Sequence, residues 1–301
     1  MNNPTFSWRV DEGAPLLLRT FLREKKQVSK RLLAAVKFKG GLLRVNEMEA
    51  TVRHVVKTGD LVTMVLPPES PSPSLQPEPL LFGIPYEDEH MLVADKPGHM
   101  ATIPSRDTPG GSLANGVLHY YKQQQLQATF HAVNRLDRGT SGLLIVAKHS
   151  YAHDLLSRLQ QQGGLKRCYK ALVKGVLSEK AGIIDAPIDR KPGSIIEREV
   201  RLGGKSAITH YKVEAESNTH SLLSLQLETG RTHQIRVHFA YLGHPLVGDG
   251  LYGDNDEGVP HQALHCDHVA FTHPFTDEVL YVEKSLPKEW RPFVECMHPI
   301  G

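Results

Sequence analysis

His131-Ala132-Val133-Asn134-Arg135-Leu136-Asp137-Arg138-Gly139-Thr140-Ser141-Gly142-Leu143-Leu144 is the stretch on which the fold of this 301-residue chain turns. A polar, glycine-containing segment gives way there to the apolar run Leu143-Leu144-Ile145-Val146-Ala147. Five apolar residues are too few for a buried helix and predict a buried strand. Asp137 stands in the loop ahead of that strand, between Arg135 and Arg138. Loops carried by a rigid sheet are where catalytic groups tend to sit, and two neighbouring cations favour an ionised carboxylate. The same run also suits a plain turn, because an aspartate just before Gly139 and Thr140 needs no chemistry to explain it.

Outward from this run, short apolar stretches alternate with a few helices. Residues 91–94, 143–147, 169–173, 208–213, 222–227 and 279–282 are expected strands, and 112–122, 150–161 and 232–242 expected helices. Thr232 is the expected cap of the last helix and Gly243 its stop. The pattern has no fixed-period repeat. It predicts an α+β domain over residues 80–301, built on a mixed, mainly antiparallel sheet.

Ahead of this domain lies Pro67-Pro68-Glu69-Ser70-Pro71-Ser72-Pro73-Ser74-Leu75-Gln76-Pro77-Glu78-Pro79. Its six prolines bar a helix or a central strand and predict an extended linker over 67–79. Such a linker is expected to tether the preceding module without fixing its orientation. Residues 1–66 hold twelve Lys/Arg against six Asp/Glu, so the overall charge of +2 hides a basic N-terminal fifth. A module of this charge attracts a polyanion, although a solvated basic face with no partner fits the charge as well. Helices are expected at 15–23 and 29–38, the second capped by Ser29 and burying Leu32, Leu33 and Val36. Strands are expected at 42–46, 51–56 and 61–66, with a turn at Lys57-Thr58-Gly59-Asp60. Ser29-Lys30-Arg31, Gly40-Gly41-Leu42-Leu43-Arg44-Val45-Asn46 and Gly59-Asp60 resemble the S4 RNA-binding module, with Asn46-Glu47 in place of its usual Asn-Gly turn. That resemblance implies RNA contacts from Arg19, Arg23, Lys30 and Arg31.

Composition sets wider limits. With 40% apolar and 23% charged residues the chain has the make-up of a soluble globular protein. No apolar run is long enough to cross a bilayer, so no membrane partner is expected. Met1-Asn2-Asn3-Pro4 lacks a basic start followed by an apolar stretch, so no secretory signal is expected. Cys168, Cys266 and Cys296 form an odd, widely spaced set. They make no disulfide framework and suit a reducing cytoplasm. His261-Gln262-Ala263-Leu264-His265-Cys266-Asp267-His268 invites a metal reading, but it runs into a β-like stretch where alternation divides the donors between faces. No metal is therefore expected. The sequence has no nucleophile elbow, phosphate loop or dinucleotide fingerprint.

The run from His131 to Leu144 resembles the signature of the RluA-type RNA pseudouridine synthases, in the RluD-like arrangement with an N-terminal S4-like domain. Two further runs match that family in its order. Lys166-Arg167-Cys168-Tyr169-Lys170-Ala171-Leu172-Val173-Lys174-Gly175 resembles its active-site tyrosine strand. Leu227-Glu228-Thr229-Gly230-Arg231-Thr232-His233-Gln234-Ile235-Arg236-Val237-His238 resembles its other long motif, continued by Gly243-His244-Pro245-Leu246-Val247-Gly248-Asp249 through Tyr252-Gly253. Asn134 departs from the family, which often has His there.

The resemblance implies isomerisation of uridine to pseudouridine in RNA, ribosomal rather than transfer RNA, by a cytoplasmic monomer. Atoms in equal atoms out and no redox change occurs, so no cofactor is required. Asp137 is the implied carboxylate, either adding to C1′ or abstracting a sugar proton, and both roles need it ionised. Arg231 is the expected ion-pair partner of Asp137. Tyr169 is expected to stack on the detached base and to assist loss of the C5 proton. Arg135 and Arg138 are expected to contact RNA. One rival is a catalytically inactive RNA-binding or ribosome-assembly protein on the same fold. The other is a glycosidase-type hydrolase pairing Asp137 with Glu228. Removing residues 1–66 is expected to weaken RNA binding and to flatten its dependence on salt in titrations across a salt series. Unchanged affinity and salt slope would dismiss an RNA-binding role for the module.

Overall fold

The computed structural model describes residues 3–11, 13, 15–254 and 258–300; Met1 and Asn2, read above for a targeting signal, lie outside them. The apolar run of the opening stretch is the strand Ser141–Ala147, with Gly142 to Ala147 fully buried. It sits inside an eleven-stranded sheet. The main path runs Ala181–Asp185, Ile208–Glu216, His220–Leu227, Lys166–Lys174, Leu264–Thr272, Ser141–Ala147, Met91–Lys96 and Gly83–Glu87. The pairings are antiparallel except where Ser141 and Gly142 meet His265 and Cys266 in parallel. The expected mixed, mainly antiparallel α+β sheet is therefore present.

Gly142 makes that parallel contact possible. Its φ is +102°, and a Cβ there would lie 2.2 Å from the Cys266 carbonyl oxygen. Only glycine allows both the dihedral and the close approach. The helices Leu113–Gln123, Ser150–Gln161 and Gln234–Tyr241 place Val117, Leu156 and Phe239 in the same core as Leu144 and Ile145. Among the described residues no helix is long and apolar enough to cross a membrane.

Several local expectations need correction. The last helix begins at Gln234, so its N-cap is His233 rather than Thr232, while Gly243 lies past its end with φ +80° as expected. The first N-terminal segment is not one helix. A short strand, Leu16–Leu17, leads into Leu18–Thr20 and then a wider turn over Phe21–Lys25. Of the strand expected at 51–56 only Val55–Val56 forms, because a turn closes between Thr51 and His54. The strand Thr5–Arg9, not anticipated, pairs with Leu61–Val65. The helix Lys30–Phe38 is as expected: the Ser29 hydroxyl accepts from the Leu32 amide at 3.0 Å, and Leu32, Leu33 and Val36 are buried. Asn46 and Glu47 both take positive φ, 49° and 69°, so the pair turns the chain as Asn-Gly would.

The proline-rich segment is not a free tether. Glu69 bridges His131 and the amide of Ser150 at the start of a helix, where a carboxylate also complements the helix dipole. The Gln76 carbonyl accepts from the Asn115 amide group at 2.7 Å, and Glu78 accepts from the Gly111 amide at 2.9 Å. Beyond the linker, Tyr151 and Leu155 of the Ser150–Gln161 helix join the N-terminal core. Phe6 packs on Tyr151 at 4.9 Å and on Phe275 at 5.6 Å, and the Tyr151 hydroxyl donates to the Lys26 carbonyl at 2.6 Å. An apolar seam with satisfied polar groups fixes orientation as a flexible linker cannot.

Burial would raise the Glu69 pKa, but the bonds from His131 and Ser150 outweigh it and hold the carboxyl at about 2, against an ordinary 4.5. A depressed carboxyl stabilises the fold above its ordinary value, and that contribution is lost as pH falls toward the folded value. Glu69→Gln is therefore expected to destabilise by about 1–3 kcal/mol near neutral pH. In urea unfolding the gap to the parent should narrow below pH 4.5; a gap constant down to pH 3 would refute the assignment.

Candidate active site

Asp137 lies in the loop joining the strands His131–Ala132 and Ser141–Ala147. Five contacts fix this loop. Val133 donates to the Ile145 carbonyl at 2.9 Å, and the Ile145 amide donates back to the Asn134 side chain at 3.0 Å. Thr102 donates its hydroxyl to the Leu136 carbonyl at 2.7 Å and accepts from the Leu136 amide at 3.1 Å. Gln262 donates to the Thr140 hydroxyl at 3.3 Å. Asn134, the one departure from the family pattern, thus ties the loop to the backbone of the strand that follows.

Lys96 supplies a further restraint. It is fully buried at 0% exposure, and its Nζ donates to the carbonyls of Pro97 at 2.9 Å, Met100 at 2.6 Å and Arg138 at 3.3 Å. In the ammonium form three donors meet three acceptors, leaving no N–H unmatched in the interior. Burial presses its pKa down to about 7, against the opposing pull of the Asp137 charge. Lys96 belongs to none of the motifs that mark the site in the sequence. Its place at the end of the otherwise apolar strand Met91–Lys96 was the available signal.

The loop opens into a cleft of about 1280 Å³. Five arginines line it: Arg135, Arg138, Arg167, Arg231 and Arg236. Among the described lining residues Asp137 is the only carboxylate. Its Oδ2 lies 3.6 Å from Nη1 of Arg236 and 3.9 Å from Nε2 of His233.

This corrects the expected ion pair. Arg231 is exposed, and its Nε donates to the Ser206 carbonyl at 2.8 Å. Arg236 takes the place assigned to it. Its Nε and Nη2 form a two-pronged pair with Asp249, both at 2.7 Å, and the guanidinium lies 4.9 Å over the Tyr252 ring. Burial would lower the Arg236 pKa, but the Asp249 bonds and charge raise it. The cation is permanent and shared between two carboxylates. The sequence signal was an arginine set between Ile235 and Val237 on a buried helix turn, which calls for an anion. Arg135 and Arg138 do not pair with Asp137 either: both are exposed, and Arg138 Nε donates to the His99 carbonyl at 3.3 Å.

Tyr169 also lines the cleft, its ring buried and its hydroxyl accepting from Arg167 Nη1 at 3.2 Å. The pairing of its strand with Leu264–Thr272 slips at Cys168/Tyr169, the kind of irregularity that re-aims a side chain. Burial raises the phenol well above its ordinary range, so it is protonated near neutral pH. Glu228 is outside the cleft lining and bridges His210 instead. Arg19, Arg23, Lys30 and Arg31 lie on the N-terminal module, all exposed to solvent.

Comparison with known proteins yields one family. The family model described as RNA pseudouridylate synthase matches residues 90–241. An uncharacterized RNA pseudouridine synthase of Bacillus subtilis is 48% identical over 262 residues, covering 87% of this chain and 93% of that protein. The ribosomal large subunit pseudouridine synthase D of Nitrosomonas europaea is 37% identical over 262 residues, 84% of this chain and 76% of that protein. Human RNA pseudouridylate synthase domain containing 1 shares the fold, with a TM-score of 0.59 at 24% identity over 77% of this chain and 92% of that one.

The buried lysine carries a pH signature. Between about 7 and the ordinary 10.5 the unfolded chain binds a proton at Lys96 that the folded chain does not. Stability therefore rises with pH across that window. In urea unfolding, the native protein is expected to gain on Lys96→Met by up to about 1 kcal/mol per pH unit between pH 7 and 9.5. A pH-independent difference would show that Lys96 stays charged in the fold.

Proposed function

We propose that this chain, which belongs to the RNA pseudouridylate synthase family, modifies uridine in ribosomal RNA in the cytoplasm, with Asp137 as the carboxylate of the reaction. Isomerisation of uridine to pseudouridine in RNA is the family's reaction and this chain's. The N1–C1′ bond breaks, the uracil turns, a C5–C1′ bond forms, and the C5 hydrogen leaves as a proton. The observation that carries the assignment of Asp137 is its isolation: it is the only carboxylate among the described residues lining a cleft that is otherwise cationic. A polyanion entering that cleft meets five arginines and one anion, and among those charged groups only the anion can support an electron-poor sugar carbon or accept a sugar proton. A hydrolase of the two-carboxylate kind lacks its second group here, because Glu228 is turned to His210.

Arg236 directs Asp137, and Arg231, exposed at the cleft, is a backbone-phosphate contact with Arg135 and Arg138. Tyr169 presents a neutral ring on which the detached uracil stacks; its protonated phenol suits a platform better than a base. Turning a structured uridine out of its stack takes a few kcal/mol, which phosphate contacts offset. The ribosomal substrate rests on relatives named for the large ribosomal subunit and on the exposed S4-like cations Arg19, Arg23, Lys30 and Arg31.

Asp137→Ala is expected to reduce pseudouridine formation by about 1,000-fold or more, with RNA binding and the unfolding midpoint retained. Pseudouridine mapping of RNA from cells with and without the gene checks the substrate. Substantial turnover by the variant would remove Asp137 from the chemistry, and lost sites confined to transfer RNA would redirect the substrate.

A further inference from the structure

His233 holds a backbone conformation that its residue type adopts at some strain, φ 58° and ψ 19°, and its side chain does not cap the helix it precedes. That strain places the imidazole between two partners. Nδ1 lies 2.8 Å from the Tyr252 hydroxyl, and Nε2 lies 3.9 Å from Asp137 Oδ2. The Tyr252 oxygen accepts a hydrogen bond from the Arg198 backbone amide at 2.8 Å.

The protons in this chain can be placed. A backbone amide only donates, so it occupies a lone pair of the Tyr252 oxygen and leaves the phenol hydrogen for His233 Nδ1. With Nδ1 accepting, the ring hydrogen resides on Nε2, the nitrogen that faces Asp137. The opposite tautomer would set a nitrogen lone pair against an anionic oxygen. Burial lowers the His233 pKa, in keeping with a neutral ring. Arg236 Nη1 and His233 Nε2 both address Oδ2.

We propose that His233 is a positioning residue for Asp137: its Nε2–H, oriented by Tyr252 and the Arg198 amide, works with Arg236 to hold one carboxylate oxygen and offer the other. The inference rests on Asp137 being the reacting carboxylate, and the test separates the two. The probe is ribosomal RNA labelled with tritium at uridine C5, from cells lacking the gene, because the isomerisation releases that hydrogen. His233→Asn tolerates the left-handed backbone and keeps an amide near the Nδ1 position toward Tyr252, but is too short to reach Asp137. His233→Gln extends an N–H toward the Nε2 position.

The expected result for His233→Asn is a kcat about 10–100-fold lower with KM within about twofold. His233→Gln should recover about tenfold of that loss. Tyr252→Phe, which frees the tautomer, should lower kcat several-fold and add little in the His233→Asn background. This variant keeps the inference testable should His233→Asn fail to fold. Near-parental turnover by His233→Asn or by Tyr252→Phe, alongside an inactive Asp137→Ala, overturns the role of His233 and leaves Asp137 standing. Equal losses in the Asn and Gln variants also overturn it. An active Asp137→Ala overturns the reading beneath it.

Discussion

A guanidinium taken out of water must find its counter-charge inside the protein, and the site is organised around that demand at Arg236. The side chain is 8% exposed and Asp249 is 0% exposed, joined by two bonds at 2.7 Å. Removing one partner of such a pair leaves an uncompensated buried charge, which costs about 3–5 kcal/mol. The pair ties the helix Gln234–Tyr241 to the segment around Asp249, whose carboxylate also accepts from the Leu251 and Tyr252 amides. The cation that survives this pairing still has charge to spare for Asp137, 3.6 Å away. One buried ion pair therefore sets the direction of the half-buried carboxylate and the position of the aromatic ring beside it.

The loop that carries Asp137 is held with similar economy. Lys96, Thr102 and Gln262 each bind a backbone or hydroxyl group of the loop, and Asn134, on the loop itself, accepts from the Ile145 amide of the strand that follows. Such a loop loses little order when substrate arrives, and geometry fixed beforehand lowers the barrier of the chemical step. Gly142 has a part in this, because its missing side chain lets the Ser141–Ala147 strand lie against Cys266. The strand in turn presents the loop at the cleft rather than in the core.

The basic N-terminal module is seated on the catalytic body through Phe6, Tyr151 and Phe275, and the proline-rich segment between them is pinned by Glu69 and Glu78. A seated module presents its cations at a fixed place relative to the cleft. Its contribution to RNA capture is then a matter of register along the polyanion as well as of net charge.

Much of this was legible in the chain itself. The short apolar run after a polar loop marked a buried strand, the Ser29 cap and the Gly243 stop marked helix ends, and three motifs in order marked the family. These features depend on neighbours in sequence, so they can be read there. Which arginine pairs with Asp137 could not be. Arg231 and Arg236 stand five residues apart in one motif. Position in space decides between them: the Ser206 carbonyl takes the first, and Asp249, reached through the helix that begins after His233, draws the second into the interior. Lys96 finds two of its acceptors close by in sequence, the Pro97 and Met100 carbonyls, and only the third, the Arg138 carbonyl, is brought to it by the fold. Periodicity and local chemistry set the elements, and the resemblance of three motifs set the family. Tertiary structure alone chose the charge partners, because the strength of an ion pair depends on separation and burial, which a linear pattern does not encode.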